Sequence, residues 1–253
     1  MASNDPRFSI GSVADVRAGA PAIDQGLRAF MLAVYNHMAL GVAITGAVAL
    51  GAFMLAVNQV DGQIVSLTSF GQLIFQSPLK WVIVLSPVAI VLWMSFGAER
   101  MNSSTARTLF YVYAALMGLS LSVLFLVYTG GSIARVFFVS AASFGALSLY
   151  GYTTKRDLSA FGSFLVMGLF GLILASLVNL FLASTAMQFI ITIAGVLIFA
   201  GLTAYDTQKI KEIYFSLGSR EEADKAAING ALTLYLDFIN LFLFLLRFLG
   251  NRE

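Results

Sequence analysis

Seven long apolar runs, separated by short polar segments, dominate the pattern of the chain. They lie at about 29–57, 81–98, 109–128, 133–153, 158–183, 187–208 and 229–249. Each run is close to, or longer than, the roughly 20 apolar residues that cross the hydrocarbon core of a bilayer. The runs are continuous, whereas the strands of a membrane β-barrel alternate apolar and polar positions. The pattern therefore predicts an all-α, polytopic membrane protein that folds as a bundle of seven transmembrane helices.

Two stretches outside these runs carry separate expectations. Residues 1–26 are polar and contain no apolar segment of the kind found in a signal peptide, and we predict a flexible cytoplasmic tail there. Residues 27–253 are predicted to form a single transmembrane domain. Within it, residues 58–80 are only half apolar, and we expect this segment to lie in the membrane interface or to dip inward.

The distribution of basic residues predicts the orientation of the bundle. With seven spans, eleven of the fifteen lysines and arginines fall on the side of the N-terminus. These are Arg7, Arg17, Arg28, Arg100, Arg107, Lys155, Arg156, Lys209, Lys211, Arg220 and Lys225. Because cytoplasmic loops carry the excess of basic residues, the N-terminus is predicted to be cytoplasmic and the C-terminus outside. A model with six spans would place the C-terminus inside, but it would leave out one good apolar run.

Composition narrows the possible chemistry. The chain is 59% hydrophobic and 11% charged, against about 25% charged residues in soluble domains. The net charge of +2 gives no reason to expect a nucleic-acid partner; lipid is the expected surrounding. The sequence has no cysteine and one histidine, His37, so thiolate sites and zinc sites with several histidines are excluded. No cofactor is predicted.

Two aspartates in apolar runs are the strongest functional signal. Asp237 lies eight residues beyond Asn229, or about 12 Å along a helix, and an ionised aspartate at the bilayer centre costs roughly 2.5–3.5 kcal/mol. Asp206 lies near the cytoplasmic end of the sixth run, where an ordinary ion pair with Lys209 is the alternative. If the two carboxyl groups meet across the neighbouring helices, they would share a proton and titrate as a unit. Their oxygens would also suit Ca²⁺.

Three further polar residues are auxiliary candidates. Asn240 follows Asp237 by three residues and so shares its helix face. His37 lies in the first third of the first run, where a buried histidine bonded to a neighbour is favoured over a pH sensor. Arg100 ends the second run on the cytoplasmic side, level with Asp206; it could reach a carboxylate there or serve as a solvated topology charge.

Three motifs resemble those of a known family. AYDTQKIK (204–211), LYLDFINLFLFLLRF (234–248) and SLYGYTTKRDLSAFGSFL (148–165) resemble the bacterial branch of the Bax inhibitor-1, or transmembrane Bax inhibitor motif, family. The resemblance implies seven spans in the bacterial inner membrane with a cytoplasmic N-terminus. It also implies a pH-sensitive calcium leak gated by two facing aspartates, which correspond to Asp206 and Asp237, and a gating arginine for which Arg100 is the candidate. An acid found in the second span of some relatives is missing from SPVAIVLW (86–93).

Three functions remain open. The leading hypothesis is a non-enzymatic Ca²⁺ leak pathway gated by a proton that the aspartate pair shares. The second is a membrane-embedded regulator that binds another membrane protein, such as a membrane protease. The third is an intramembrane aspartyl protease: Tyr205-Asp206 matches one half of that signature, but the stretch from Leu234 to Asp237 lacks the glycines of the Gly-x-Gly-Asp half.

Overall fold

The structure is a computed structural model that describes residues 25–60, 63–97 and 101–252. The predicted tail, apart from its last two residues, and the candidate Arg100 lie outside the described residues. Within these ranges the chain forms eight α-helices. They are α1 (Gln25–Ala56), α2 (Ser69–Phe75), α3 (Leu79–Gly97), α4 (Ser103–Leu121), α5 (Gly130–Thr153), α6 (Ser159–Leu182), α7 (Thr185–Tyr214) and α8 (Arg220–Leu249).

The helices confirm a polytopic α-helical membrane protein. Among the described residues, six helical stretches are long and apolar enough to cross a membrane: α1, α4 with the 3-10 helix Ser122–Leu126, and α5 to α8. The second predicted run is α3, which contains Pro87. Helices α2 and α3 meet at 58° across a short break. Counted together as one broken span, they bring the total to the seven that the pattern predicts.

The uncertain segment 58–80 includes a β-hairpin that the apolar pattern did not predict. Strand β1 (Val57–Val60) pairs antiparallel with β2 (Gln63–Leu67), and α2 follows at once. Thr68 begins α2 because its side chain accepts a hydrogen bond from the N–H of Gly71 at 3.1 Å. The strands are short and rich in β-branched residues, which favour extended backbone.

Helix α8 forms the centre of the bundle. It packs against α1, α4, α5 and α7, while α6 packs on the outside of α7. In its most apolar stretch 56% of the residues are buried inside the protein, against 17–28% in the other five spans. A polar residue on α8 is therefore surrounded by other helices and not by lipid.

The start of α8 differs from the predicted boundary near Asn229. The helix begins at Arg220, nine residues earlier. The Ser219 side chain accepts a hydrogen bond from the N–H of Glu222 at 3.2 Å, and the Glu222 carboxylate accepts one from the N–H of Gly218 at 2.8 Å. This arrangement is a variant of the capping box in which Glu222 accepts from the residue before the N-cap, and it fixes the helix N-terminus. Asp237 therefore lies seventeen residues, or about 26 Å, from the start of α8, and its depth in the membrane stays a prediction.

Candidate functional site: an aspartate pair between two helices

The register of α7 against α8 decides which side chains meet. The rings of Phe199 and Phe244 stack with their centroids 5.8 Å apart. Three to four helical turns away, Ile210 packs against Gly230. These contacts fix an antiparallel register, and the two aspartates lie opposite each other between them.

The structure brings the carboxyl groups of Asp206 and Asp237 together. The two side chains face each other within range of a hydrogen bond. Asp237 is only 4% exposed and Asp206 is half-buried. An ionised carboxylate has acceptors and no donor, so this bond forms only when one of the two groups carries a proton.

Asp237 has few neighbouring groups that could stabilise a negative charge on its carboxyl group. Its Oδ2 atom is buried, and within the part of the chain that the structure describes no N–H or O–H group donates to it. Leaving a buried acceptor without a partner costs about 1–3 kcal/mol, and more when the group is charged. A proton shared between the two acids removes that cost, so the geometry favours the pair holding one proton.

Two of the auxiliary candidates contact groups outside the pair. Lys209 is exposed, and its Nζ lies 5.9 Å from the centroid of the Tyr205 ring. It remains close enough to Asp206 to act on that carboxyl group electrostatically. Asn240 shares the helix of Asp237, but its Nδ2 donates to the backbone carbonyl of Leu236 at 2.8 Å. Neither side chain therefore replaces the bond between the two acids.

The remaining candidates lie elsewhere. The His37 ring is half-buried and its Nδ1 hydrogen bonds to the Tyr111 hydroxyl at 2.7 Å. Arg107 and Asp224 are the charged groups that act on it. His37 thus has the bonded neighbour that the sequence favoured, away from the aspartate pair. Arg100 lies outside the described residues, so its part in gating stays a prediction.

The residues beside Asp206 fix α7 to its neighbours. The Tyr205 ring packs directly on Gly162 of α6, where a Cβ would collide with it. Gln208 binds the connection between α5 and α6: its Oε1 accepts from the N–H of Leu158 and its Nε2 donates to the carbonyl of Arg156, both at 2.8 Å. Successive residues on a helix point about 100° apart, so this turn contacts several elements at once. The position of Asp206 is therefore held from more than one side.

A chain of hydroxyl groups, which sequence reasoning missed, lies next to the pair. The Thr207 hydroxyl donates to the carbonyl of Thr203 at 2.8 Å. With that proton committed, the Ser148 hydroxyl donates to Thr207 at 2.8 Å, and the Tyr35 hydroxyl donates to Ser148 at 2.6 Å. The chain joins α1, α5 and α7. The signal in the sequence was the i, i+4 spacing of two threonines around Asp206.

The pair alone is a sparse site for a resident metal ion. Across the described residues, no group of three or more histidine, aspartate or glutamate side chains lies together. Calcium takes six to eight oxygen ligands, and the pair supplies two carboxyl groups. A bound Ca²⁺ would therefore need further oxygen ligands beyond the pair.

Comparison with known proteins gives consistent similarities. The family described as inhibitor of apoptosis-promoting Bax1 matches residues 27–253. An uncharacterized protein of Rickettsia prowazekii is 51% identical over 230 residues, which cover 91% of this chain and 92% of that protein. Inner membrane protein YbhL of Escherichia coli is 45% identical over 231 residues, covering 90% of this chain and 94% of YbhL. The similarity thus spans the whole helical bundle.

Proposed function

Because the chain belongs to the Bax inhibitor-1 family, we propose that it provides a pH-sensitive leak pathway for Ca²⁺, gated by Asp206 and Asp237. It is a multi-pass protein of the inner membrane. The observation that carries the proposal is the close approach of two carboxyl groups inside a membrane bundle. Acids are rare there because their charge is costly, and by default they mark an ion or proton pathway.

In the proposed closed state one proton bridges the two acids and holds α7 against α8. Loss of that proton leaves two negative charges in contact. At 4 Å and an effective dielectric constant of 20, their repulsion is about 4 kcal/mol. That energy is enough to separate the two helices locally and to shift the packing of their cytoplasmic ends. Lys209 and Arg100 are the candidate cations for a carboxylate released in this way.

Calcium is the proposed cargo because of the chemistry of the separated pair. Two carboxylates facing a gap offer the hard oxygen ligands that Ca²⁺ prefers, and water and backbone carbonyls would complete its shell. The orientation follows from the charge distribution: we propose a cytoplasmic N-terminus and an external C-terminus. The aspartates then lie towards the cytoplasmic half of α7.

We propose no peptide hydrolysis at the pair. A protease would need a peptide backbone to approach both carboxyl groups closely. The residues that precede Asp237 are bulky, and Leu234 and Tyr235 are fully buried. The Tyr235 ring packs edge-on against Phe110 and Tyr113, with centroids 5.6 Å apart in both cases. This packing supports the proposal that no substrate backbone reaches the pair.

Calcium flux into proteoliposomes across pH 6–8 tests the proposal. We expect a pH-dependent leak in the wild type. The double variant Asp206→Asn/Asp237→Asn keeps the hydrogen bond without a proton to lose, so its leak stays at the low level of the closed state at every pH. The double alanine variant cannot form the bond, and its leak no longer responds to pH. If the alanine variant keeps both the wild-type flux and its pH profile, the proposal is wrong.

Asp157 provides the matched control. It is an exposed aspartate between α5 and α6, and the N–H of Ser159 donates to its Oδ1 at 2.8 Å. Hydrogen bonds from the side chain and backbone of Ser159 hold the pKa of Asp157 below its ordinary value. It therefore stays ionised across the tested range. Asp157→Asn removes one charge without touching the pair, and its flux should match the wild type.

A further inference from the structure

A large cleft separates α1 from α5. Its volume is about 1020 Å³, which is at the upper end for small-molecule pockets. Apolar side chains line most of it, including Met38 and Val42 on α1 and Phe144 on α5. Phe238 of α8 also lines it, one residue from Asp237. The cleft is therefore a hydrocarbon-like groove that reaches the central helix.

One end of the cleft is cationic. Arg28, at the start of α1, lines this mouth and is exposed. On the opposite wall is Tyr152, near the end of α5. The Nζ of Lys211 donates to the carbonyl of Tyr152 at 2.9 Å and lies 5.8 Å from the centroid of its ring. Arg28 thus lines this end of the groove, and Lys211 lies beside it through its contacts with Tyr152.

The groove extends from that mouth along the exposed faces of both helices, and the Tyr35–Ser148 hydrogen bond, which joins α1 to α5, is part of its lining. Its lining extends along α1 to Gly46, eighteen residues beyond Arg28, or about 27 Å. At Gly46, and at Gly145 on the α5 wall, an added Cβ would meet no atom within 4 Å. Open space therefore reaches both backbones along a length comparable with the hydrocarbon core of a bilayer, about 30 Å.

We propose that this cleft binds an acyl chain of an anionic phospholipid, with the headgroup phosphate at Arg28 and Lys211. The apolar walls accept hydrocarbon, and the two cations complement a phosphate at the depth of the headgroups. A helix from another protein would gain from the small residues on both walls, but it would leave the cationic mouth without a counter-charge. The charge at the mouth favours lipid as the occupant.

Photolabelling tests the site. The protein is reconstituted in nanodiscs with phosphatidylglycerol that carries a diazirine in its acyl chain, and labelled peptides are mapped by mass spectrometry. We expect the label to concentrate on the α1 and α5 peptides that line the cleft. Gly145→Leu fills the groove and should remove most of this labelling. Gly171→Leu is the matched control, because Gly171 is exposed on α6 and an added Cβ there also meets nothing within 4 Å.

Competition between unlabelled lipids tests whether the site prefers an anionic headgroup. Unlabelled phosphatidylglycerol should displace the label better than phosphatidylcholine. Each basic residue near an anionic surface contributes about a fivefold preference, so Arg28→Gln and Lys211→Gln should each reduce the selectivity by about that factor. Even labelling of all lipid-facing helices, equal effects of the two leucine variants, or equal displacement by both lipids would overturn the proposal.

A second copy of the chain is the competing occupant. The sequence has no cysteine, so Gly46→Cys gives a single reporter in the groove. The lipid label could be absent from the cleft while this variant forms disulfide-linked dimers. That result would show that a helix of a second copy occupies the groove, and it would overturn lipid binding. Neither readout uses calcium flux, so failure of the lipid site is distinguishable from failure of the proposed leak.

Discussion

Replacing Asp237 by asparagine should make the protein insensitive to pH near neutrality. Asparagine has nearly the same shape as aspartate, and its amide N–H₂ donates a hydrogen bond at any pH. It can therefore bond to the Asp206 carboxylate without a shared proton. In the wild type the same contact exists only while one acid keeps its proton.

The expected effect of Asp237→Asn on the pH dependence of stability follows from proton linkage. In the unfolded chain both carboxyl groups ionise near pH 4, whereas the folded pair holds one proton. The folded state then binds one more proton than the unfolded state, so stability falls as pH rises. The slope for one proton is about 1.4 kcal/mol per pH unit, and the upper limit between pH 6 and pH 8 is about 2.7 kcal/mol. The asparagine variant lacks this term.

The assay is thermal unfolding of the purified protein in detergent at several pH values. The wild type should lose apparent Tm as pH rises from 6 to 8, and Asp237→Asn should show a flatter profile. Asp157→Asn should keep the wild-type slope, because that exposed side chain lies away from the pair. Parallel profiles for wild type and Asp237→Asn would show that no proton is shared, and the reasoning from the buried contact would fail.

Three further substitutions test the surroundings of the site by thermal unfolding at fixed pH. Gly151→Ala places a methyl group against the backbone of α7 and should lower the free energy of unfolding by about 1–3 kcal/mol. Gly171→Ala, in open space, should not destabilise the protein. Equal effects of the two substitutions would contradict the close approach of α5 and α7. Thr207→Val breaks the hydroxyl chain and should lower the free energy of unfolding by about 1–3 kcal/mol, while Thr153→Val at the exposed end of α5 should cost less. An unchanged stability of Thr207→Val would show that the hydroxyl chain does not stabilise the fold. Ser219→Ala should lower the free energy of unfolding by about 1 kcal/mol. An unchanged stability would show that the Ser219 cap does not anchor α8.

The order and positions of the helices follow from the sequence because apolar length is a strong local signal. All seven runs appear as helices or parts of helices, and most of their ends lie within four residues of the expected bounds. The start of α8 precedes its apolar run by nine residues because its first turns are charged, so hydropathy does not mark it. Ser219 and Glu222 have the S-x-x-E spacing of a capping box, and this signal would have placed the helix start correctly.

The facing of the two acids was a reasonable expectation, but its details depend on the tertiary structure. Consecutive helices joined by a short loop are antiparallel neighbours, so two aspartates on them can meet. The hydroxyl chain from Tyr35 through Ser148 to Thr207 joins residues far apart in the sequence. No local pattern predicts which side chains share such a chain. The α1–α5 cleft is equally non-local, since α8 keeps its walls in place.

The central position of α8 supports the proposed role of the acid pair as a switch. An acid facing lipid has one stable state, because hydrocarbon offers no group that compensates its charge. Asp237 faces α7, which supplies a second acid, and lies on the most buried of the described spans. Its protonation is therefore tied to the packing of the two helices, and a change in one must change the other. The same acids on the lipid-facing surface of α6 would cost as much to insert and would move nothing when they titrate.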